Sequence, residues 1–109
     1  MSVKGTQVFD AVGDGSRREI LDLLAAGPRP VGEIAARTEL SQPNASRHLR
    51  ILREAGLVEP RAEGQRRIYE LRPAGLAELI GWVAPYQRLW QESLDALERH
   101  LDSDSETED

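Results

Sequence analysis

Apolar residues recur at helical spacing over most of this chain. Val8, Phe9 and Val12 stand at i, i+1 and i+4, enough for one apolar edge of a short helix over residues 6–12. Asp14-Gly15 breaks it. Ser16 and Glu19 have the spacing of a capping box, which opens a helix carrying Ile20, Leu21, Leu23 and Leu24. Gly27-Pro28 stops that helix. A third helix, over residues 31–38, turns Val31, Ile34 and Ala35 inward, and Leu40 plugs the core from the turn that follows. Ser41 is then an N-cap, and Pro43 falls in the first turn of a fourth helix, where a missing N–H costs little. This helix reaches Glu54 or Ala55, with Gly56 just past its end. Its core stripe is Ala45, Leu49 and Leu52, at i, i+4 and i+7.

The pattern next shortens to strands over residues 57–61 and 67–71, with 62–66 between them and Gly64 supplying the turn. Pro60 lacks a ladder donor and belongs on an edge. Ile68 and Tyr69 alternate, so one of them faces the core. Residues 73–101 return to helical spacing, with Pro85 expected to kink or restart the helix. Two short helices around a tight turn, followed by a hairpin, make a mainly α fold with a small β-hairpin, the order of a winged helix-turn-helix. On this reading residues 1–101 form one domain. Its helix-turn-helix covers 31–55, its wing 57–71 and its C-terminal helices 73–101, and residues 102–109 form a disordered acidic tail.

Leu76, Ile80, Val83, Trp90, Leu94, Leu97 and Leu101 form a long apolar stripe, widened by Leu79, Trp82, Tyr86 and Leu89. A chain of 109 residues cannot easily bury this stripe on itself. The expectation is a homodimer whose interface is built from Val8, Phe9, Val12, Leu76, Ile80, Val83, Tyr86, Trp90, Leu94, Leu97 and Leu101. The same aromatics could line a pocket for a small effector, although such stripes are core more often than pocket.

Charge sharpens the picture. The net charge is −5, which looks wrong for a nucleic-acid binder, but the last eight residues, DSDSETED, hold five acids and no base. Without them 14 acids face 14 bases, and residues 41–72 carry seven arginines against four glutamates. The local field decides phosphate binding, not the total. On the fourth helix Pro43, Ser46, Arg47 and Arg50 share a face, with Gln42 beside them. Gln42 can pair with adenine, Arg47 with guanine, Pro43 can lie on a thymine methyl, and Ser46 allows close approach. Arg50 is placed to meet phosphate. Ser41 and Asn44 complete the helix N-terminus on the DNA side. The basic tip of the hairpin, with Gln65, Arg66 and Arg67, is a second contact for minor groove or phosphate. Glu63 is expected to point away. His48 borders the core stripe and reads as a packed helix histidine. Taken alone, the fourth helix could equally be a solvated amphipathic helix with surface arginines, and the hairpin tip a polar turn. Double-stranded DNA is favoured as the partner by their combination.

Other chemistry is thin. There is no cysteine, hence no disulfide, thiolate metal site or cysteine nucleophile. This fits a reducing, cytoplasmic setting. No nucleophile stands with a base, and no glycine-rich phosphate loop is visible, so an enzyme is not expected. His100, beside Asp95 and Glu98, is a poor metal site, and no cofactor is expected. Residues 1–12 carry no apolar run of a leader, and no segment approaches a membrane span.

In FDAVGDGSRREILDLL, VGEIAARTELSQPNASRHLRILREAGLVE and EGQRRIYEL the chain resembles the ArsR/SmtB family of winged-helix repressors, over residues 8–71. The resemblance implies a homodimeric repressor on an imperfect inverted repeat, released when a small-molecule or protein effector binds. It places base reading on Gln42, Pro43, Ser46 and Arg47. Many relatives sense metals through cysteines in the third helix, where this chain has Glu33-Ile34-Ala35-Ala36, so metal sensing is not implied. The competing reading is a protein-interaction module that keeps the scaffold without binding DNA, consistent with the acidic tail and the neutral body.

Overall fold

The computed structural model describes the backbone of residues 3–107 and the side-chain surroundings of residues 7–103. The chain divides into two units, residues 1–79 and 80–109. The first unit is ordered by α1 (Val3–Val12), α2 (Gly15–Ala25), β1 (Arg29–Pro30), α3 (Val31–Thr38), α4 (Gln42–Glu54), β2 (Val58–Glu63) and β3 (Arg66–Leu71). The last helix, α5 (Pro73–Thr107), begins in it and supplies the second unit.

The core of the first unit is the set of residues that the helical spacing turned inward. Ile20, Ile34, Ala45, Leu49, Leu52, Leu57 and Val58 have no exposed surface, and Leu40 packs against them from the turn, as expected. Burying each large aliphatic is worth about 1.5–3 kcal/mol. Val8 departs from the sequence reading. It is 1% exposed and lies in the subunit's own core, so it has no surface left for a partner; Phe9, its neighbour, is the exposed residue there. One apolar edge on a short helix cannot serve a core and an interface with the same side chain.

Several boundaries moved. The N-cap of α2 is Asp14, not Ser16: its carboxylate accepts the Arg17 backbone N–H at 3.1 Å, so the helix starts at Gly15. Residues 29–30 pair antiparallel with β3, Arg29 opposite Tyr69 and Pro30 opposite Ile68, giving a three-stranded sheet of order β1-β3-β2 instead of a simple hairpin. β3, the middle strand, also has α2 and α3 against it, and both Ile68 and Tyr69 are buried where one was expected to be. Pro60 lies on edge strand β2, as its missing donor requires. The wing is longer and tighter than expected: Glu63 pairs with Arg66, leaving Gly64-Gln65 as a two-residue loop with Gly64 at φ 64°.

In the second unit α5 continues through Pro85 without a break and through residues 102–107, where disorder was expected. No glycine or proline follows Pro85 to stop it. Residues 108 and 109 of the expected tail lie outside the described residues. Here Ile80, Trp82, Tyr86, Leu89, Trp90, Leu97 and Leu101 are each more than half exposed. Trp82 and Tyr86 stack against each other with ring centroids 5.0 Å apart.

Candidate nucleic-acid interface

The α3–α4 turn is set by backbone chemistry. Glu39 closes α3 in the left-handed conformation (φ 59°), a position that costs a non-glycine residue about 1–2 kcal/mol. Leu40 N–H returns to the Ala35 carbonyl at 3.0 Å, which turns the Leu40 side chain back toward the core. Ser41 Oγ accepts the Asn44 N–H at 3.2 Å and caps α4. The Ser41 hydroxyl is therefore occupied in shaping the helix N-terminus.

On α4 the two faces separate cleanly. Ala45, Leu49 and Leu52 are buried, whereas Gln42, Pro43, Asn44, Ser46, Arg47 and Arg50 are exposed. The exposed side divides again. Ser46, Arg50 and Arg53, at i, i+4 and i+7, face the sheet, where with Arg67, Tyr69 and Val31 they line one cavity. Gln42 stands on the same row, near Gly32 at the start of α3. Arg53 was missed by the sequence reading because it lies beyond the helix N-terminus, where base contacts are made. Its spacing from Ser46 and Arg50 was the available signal.

His48 is buried on α4, and its Nδ1 lies 3.2 Å from Arg17 Nη1. A guanidinium is always a donor, so Nδ1 accepts. The same guanidinium donates to the carbonyls of Ala11 (2.7 Å) and Asp10 (3.1 Å) at the end of α1. Arg17 thus satisfies orphan carbonyls of α1 while fixing α4, and His48 is a packed helix histidine, as read. The Arg17 backbone N–H holds the Asp14 carboxyl below the ordinary carboxylate range; burial opposes this and the Arg17 charge adds to it. A depressed folded-state value means that the stabilisation is present above the unfolded value and is lost as acid titrates the group, below about pH 4. The thermal midpoint of the parent should therefore fall more steeply between about pH 5 and 3 than that of Asp14→Asn, which keeps a cap acceptor without titrating. Parallel pH profiles would refute this.

The arginines of the first unit fall into two groups. Arg17, Arg18, Arg29, Arg37, Arg61 and Arg72 are engaged by carbonyls or carboxylates. Among the described residues, the side chains of Arg47, Arg50, Arg53, Arg66 and Arg67 have no ion pair or hydrogen bond. All five lie on α4 or the wing. Glu63, expected to turn from phosphate, is 3.8 Å from Arg61. Among the described residues no three His, Asp or Glu side chains come together to hold a metal ion, and no helix is long and apolar enough to cross a membrane.

A helix, a tight turn, a second helix with one solvent-facing side, and a basic β-ribbon define a winged helix-turn-helix, the class of scaffold that transcriptional regulators use. Comparison with known proteins narrows this. Residues 14–60 match the family described as bacterial regulatory protein, arsR family. The chain is 39% identical over 100 residues to the HTH-type transcriptional regulator Rv2034 of Mycobacterium tuberculosis, covering 92% of this chain and 91% of the relative. It is 40% identical over 76 residues to the transcriptional repressor SdpR of Bacillus subtilis, covering 70% and 84%. The homodimeric winged helix-turn-helix DNA-binding domain Mb0332 of Mycobacterium bovis superposes with a TM-score of 0.66 at 38% identity, over 85% of this chain and 83% of that one. The chain belongs to the arsR family of bacterial regulatory proteins and is a transcriptional regulator.

Proposed function

We propose that this regulator is a cytoplasmic homodimeric repressor that binds an inverted-repeat operator in double-stranded DNA. The observation that carries the reading is the sidedness of α4: Ala45, Leu49 and Leu52 are sealed in the core while Gln42, Pro43, Ser46, Arg47 and Arg50 stand in solvent beside unpaired wing arginines. Gln42, Pro43 and Arg47 read base edges in the major groove, with Ser41, Asn44 and Ser46 at the helix N-terminus. Gln65, Arg66 and Arg67 follow the adjacent backbone or minor groove. Two such helices related by a two-fold axis enter successive major grooves about 34 Å apart. The exposed apolar stripe of α5 supplies the area that a partner would cover. The role is one of binding, and no catalytic step is assigned to any residue.

Selection of bound duplexes from a random pool gives the operator, and two variants then test the contacts. Arg47→Ala should cost about 1–3 kcal/mol and relax choice at one base position. Arg66→Ala should weaken all sequences evenly and flatten the salt dependence. If both bind the selected duplex like the parent at moderate salt, the assignment fails.

A further inference from the structure

The cavity between α4 and the wing has an unusual charge balance. It measures about 300 Å³, and three of the residues lining it, Arg50, Arg53 and Arg67, carry guanidinium groups. No carboxylate lines it. The acids of the neighbouring strands are paired elsewhere, Glu63 and Glu70 near Arg61 and Glu59 near Arg72. Glu54, next to Arg53 in sequence, lines other cavities. Three cations therefore face one concavity with no internal counter-charge, an arrangement that repels itself until an anion enters.

A second observation points the same way. Tyr69 is 7% exposed, with its ring in the core, and it also lines this cavity. No described residue hydrogen-bonds its hydroxyl, and that oxygen is not sealed from solvent. A phenolic O–H on a nearly buried side chain ordinarily finds a partner. Tyr69 lines the cavity that the arginines surround, and Ser46 lines it too, so two hydroxyl-bearing side chains border the same space. Forked guanidinium donors together with two hydroxyl donors are the equipment of an oxyanion site.

We propose that this cavity is a phosphate-binding site, with Arg53 and Tyr69 as ligands in addition to Arg50 and Arg67. Where the phosphate belongs to duplex DNA, the inference rests on the operator-binding reading. A bound backbone phosphate would then tie the recognition helix to the wing, fixing the angle between the two DNA-contacting elements. A cavity of this size also admits the phosphoryl group of a small organic phosphate, which would compete with DNA for the same cations.

The experiment has two arms, each run on the full chain with the parent, Arg53→Gln and Tyr69→Phe. In the DNA arm, Arg53→Gln should lower affinity about fivefold to tenfold for selected and unrelated duplexes alike, and reduce the slope of log affinity against log salt by about one. In the free-anion arm, inorganic phosphate replaces chloride at matched ionic strength while the arginine Nε–H resonances are followed. Saturable shifts of Arg50 and Arg67 should be seen in the parent and lost in Arg53→Gln. Tyr69→Phe should weaken whichever interaction is found while leaving the charge unchanged. A DNA effect alone assigns the site to the backbone, and a free-phosphate effect alone assigns it to a phosphorylated small molecule. A normally melting Arg53→Gln that behaves like the parent in both arms overturns the proposal. If Arg47→Ala still relaxes base choice in that case, the DNA reading survives; if it does not, both fall. Should Arg53→Gln fail to fold, Tyr69→Phe alone decides, and parent-like behaviour in both arms is then the overturning result.

Discussion

Trp90→Asp should convert the protein to a monomer and abolish tight operator binding. Trp90 is 66% exposed, the highest value among the large apolar residues of α5. By helical spacing it shares a face with Ile80, Val83, Leu94, Leu97 and Leu101. In a two-fold dimer each protomer would then carry an unpaired carboxylate into the covered stripe. An uncompensated buried charge costs about 3–5 kcal/mol, and every 1.4 kcal/mol is a factor of ten, so dimer dissociation should rise by about a hundredfold or more. Operator affinity depends on both half-sites and should fall by at least as much. The core of the first unit does not include Trp90, so its cooperative melting should persist. Light scattering at micromolar concentration and a gel shift on the selected duplex check this. A dimeric Trp90→Asp with parent affinity would refute the assignment of this stripe.

Gly75→Ala should destabilise the first unit by about 2 kcal/mol. The general rule points the other way, since alanine in a helix is worth about 1 kcal/mol over glycine. Close approach reverses the sign. A Cβ on Gly75 would overlap the Gly56 carbonyl oxygen and stand 2.5 Å from its carbon and 3.1 Å from Leu57 N. These are backbone atoms held by their own bonds, Leu57 N–H to the Leu52 carbonyl and Arg72 N–H to the Leu57 carbonyl. They cannot move without disturbing the end of α4, and overpacking of this kind costs about 1–3 kcal/mol, at the upper end against fixed backbone, of which the propensity gain offsets about 1 kcal/mol. Gly81 offers the contrast. Nothing lies within 4 Å of its Cβ position, and it stands on the side of α5 away from the apolar stripe. Gly81→Ala should follow the ordinary rule and stabilise slightly. Urea unfolding of both variants measures the difference, and a Gly75→Ala at least as stable as the parent would show that this approach is looser than described.

What was legible in the chain shares a physical basis. The α4 faces, the Ser41 cap, the Gly64 turn and the edge position of Pro60 all follow from rules acting over a few residues. What was missed depends on distant partners. Residues 29–30 are too few to show a strand period, and they become β1 only because β3 offers a free edge opposite them. Ser16 had the cap spacing, but Asp14 stood where the chain actually turned. The Arg17–His48 bond spans 31 residues and joins two helices whose spacing patterns say nothing about each other.

The sequence by itself determined the order of elements, the inward residues of each helix, the basic recognition module and the likeness to its family. Periodicity and capping are local, and local free energies are already present in the unfolded chain. Only the tertiary structure decided that Val8 belongs to the core, that Gly75 permits α5 to meet Gly56, and that Arg53 and Tyr69 join Arg50 and Arg67 around one cavity. Those outcomes depend on which surfaces meet after collapse. Packing assigns each side chain a single environment from among several that its sequence neighbourhood would equally allow.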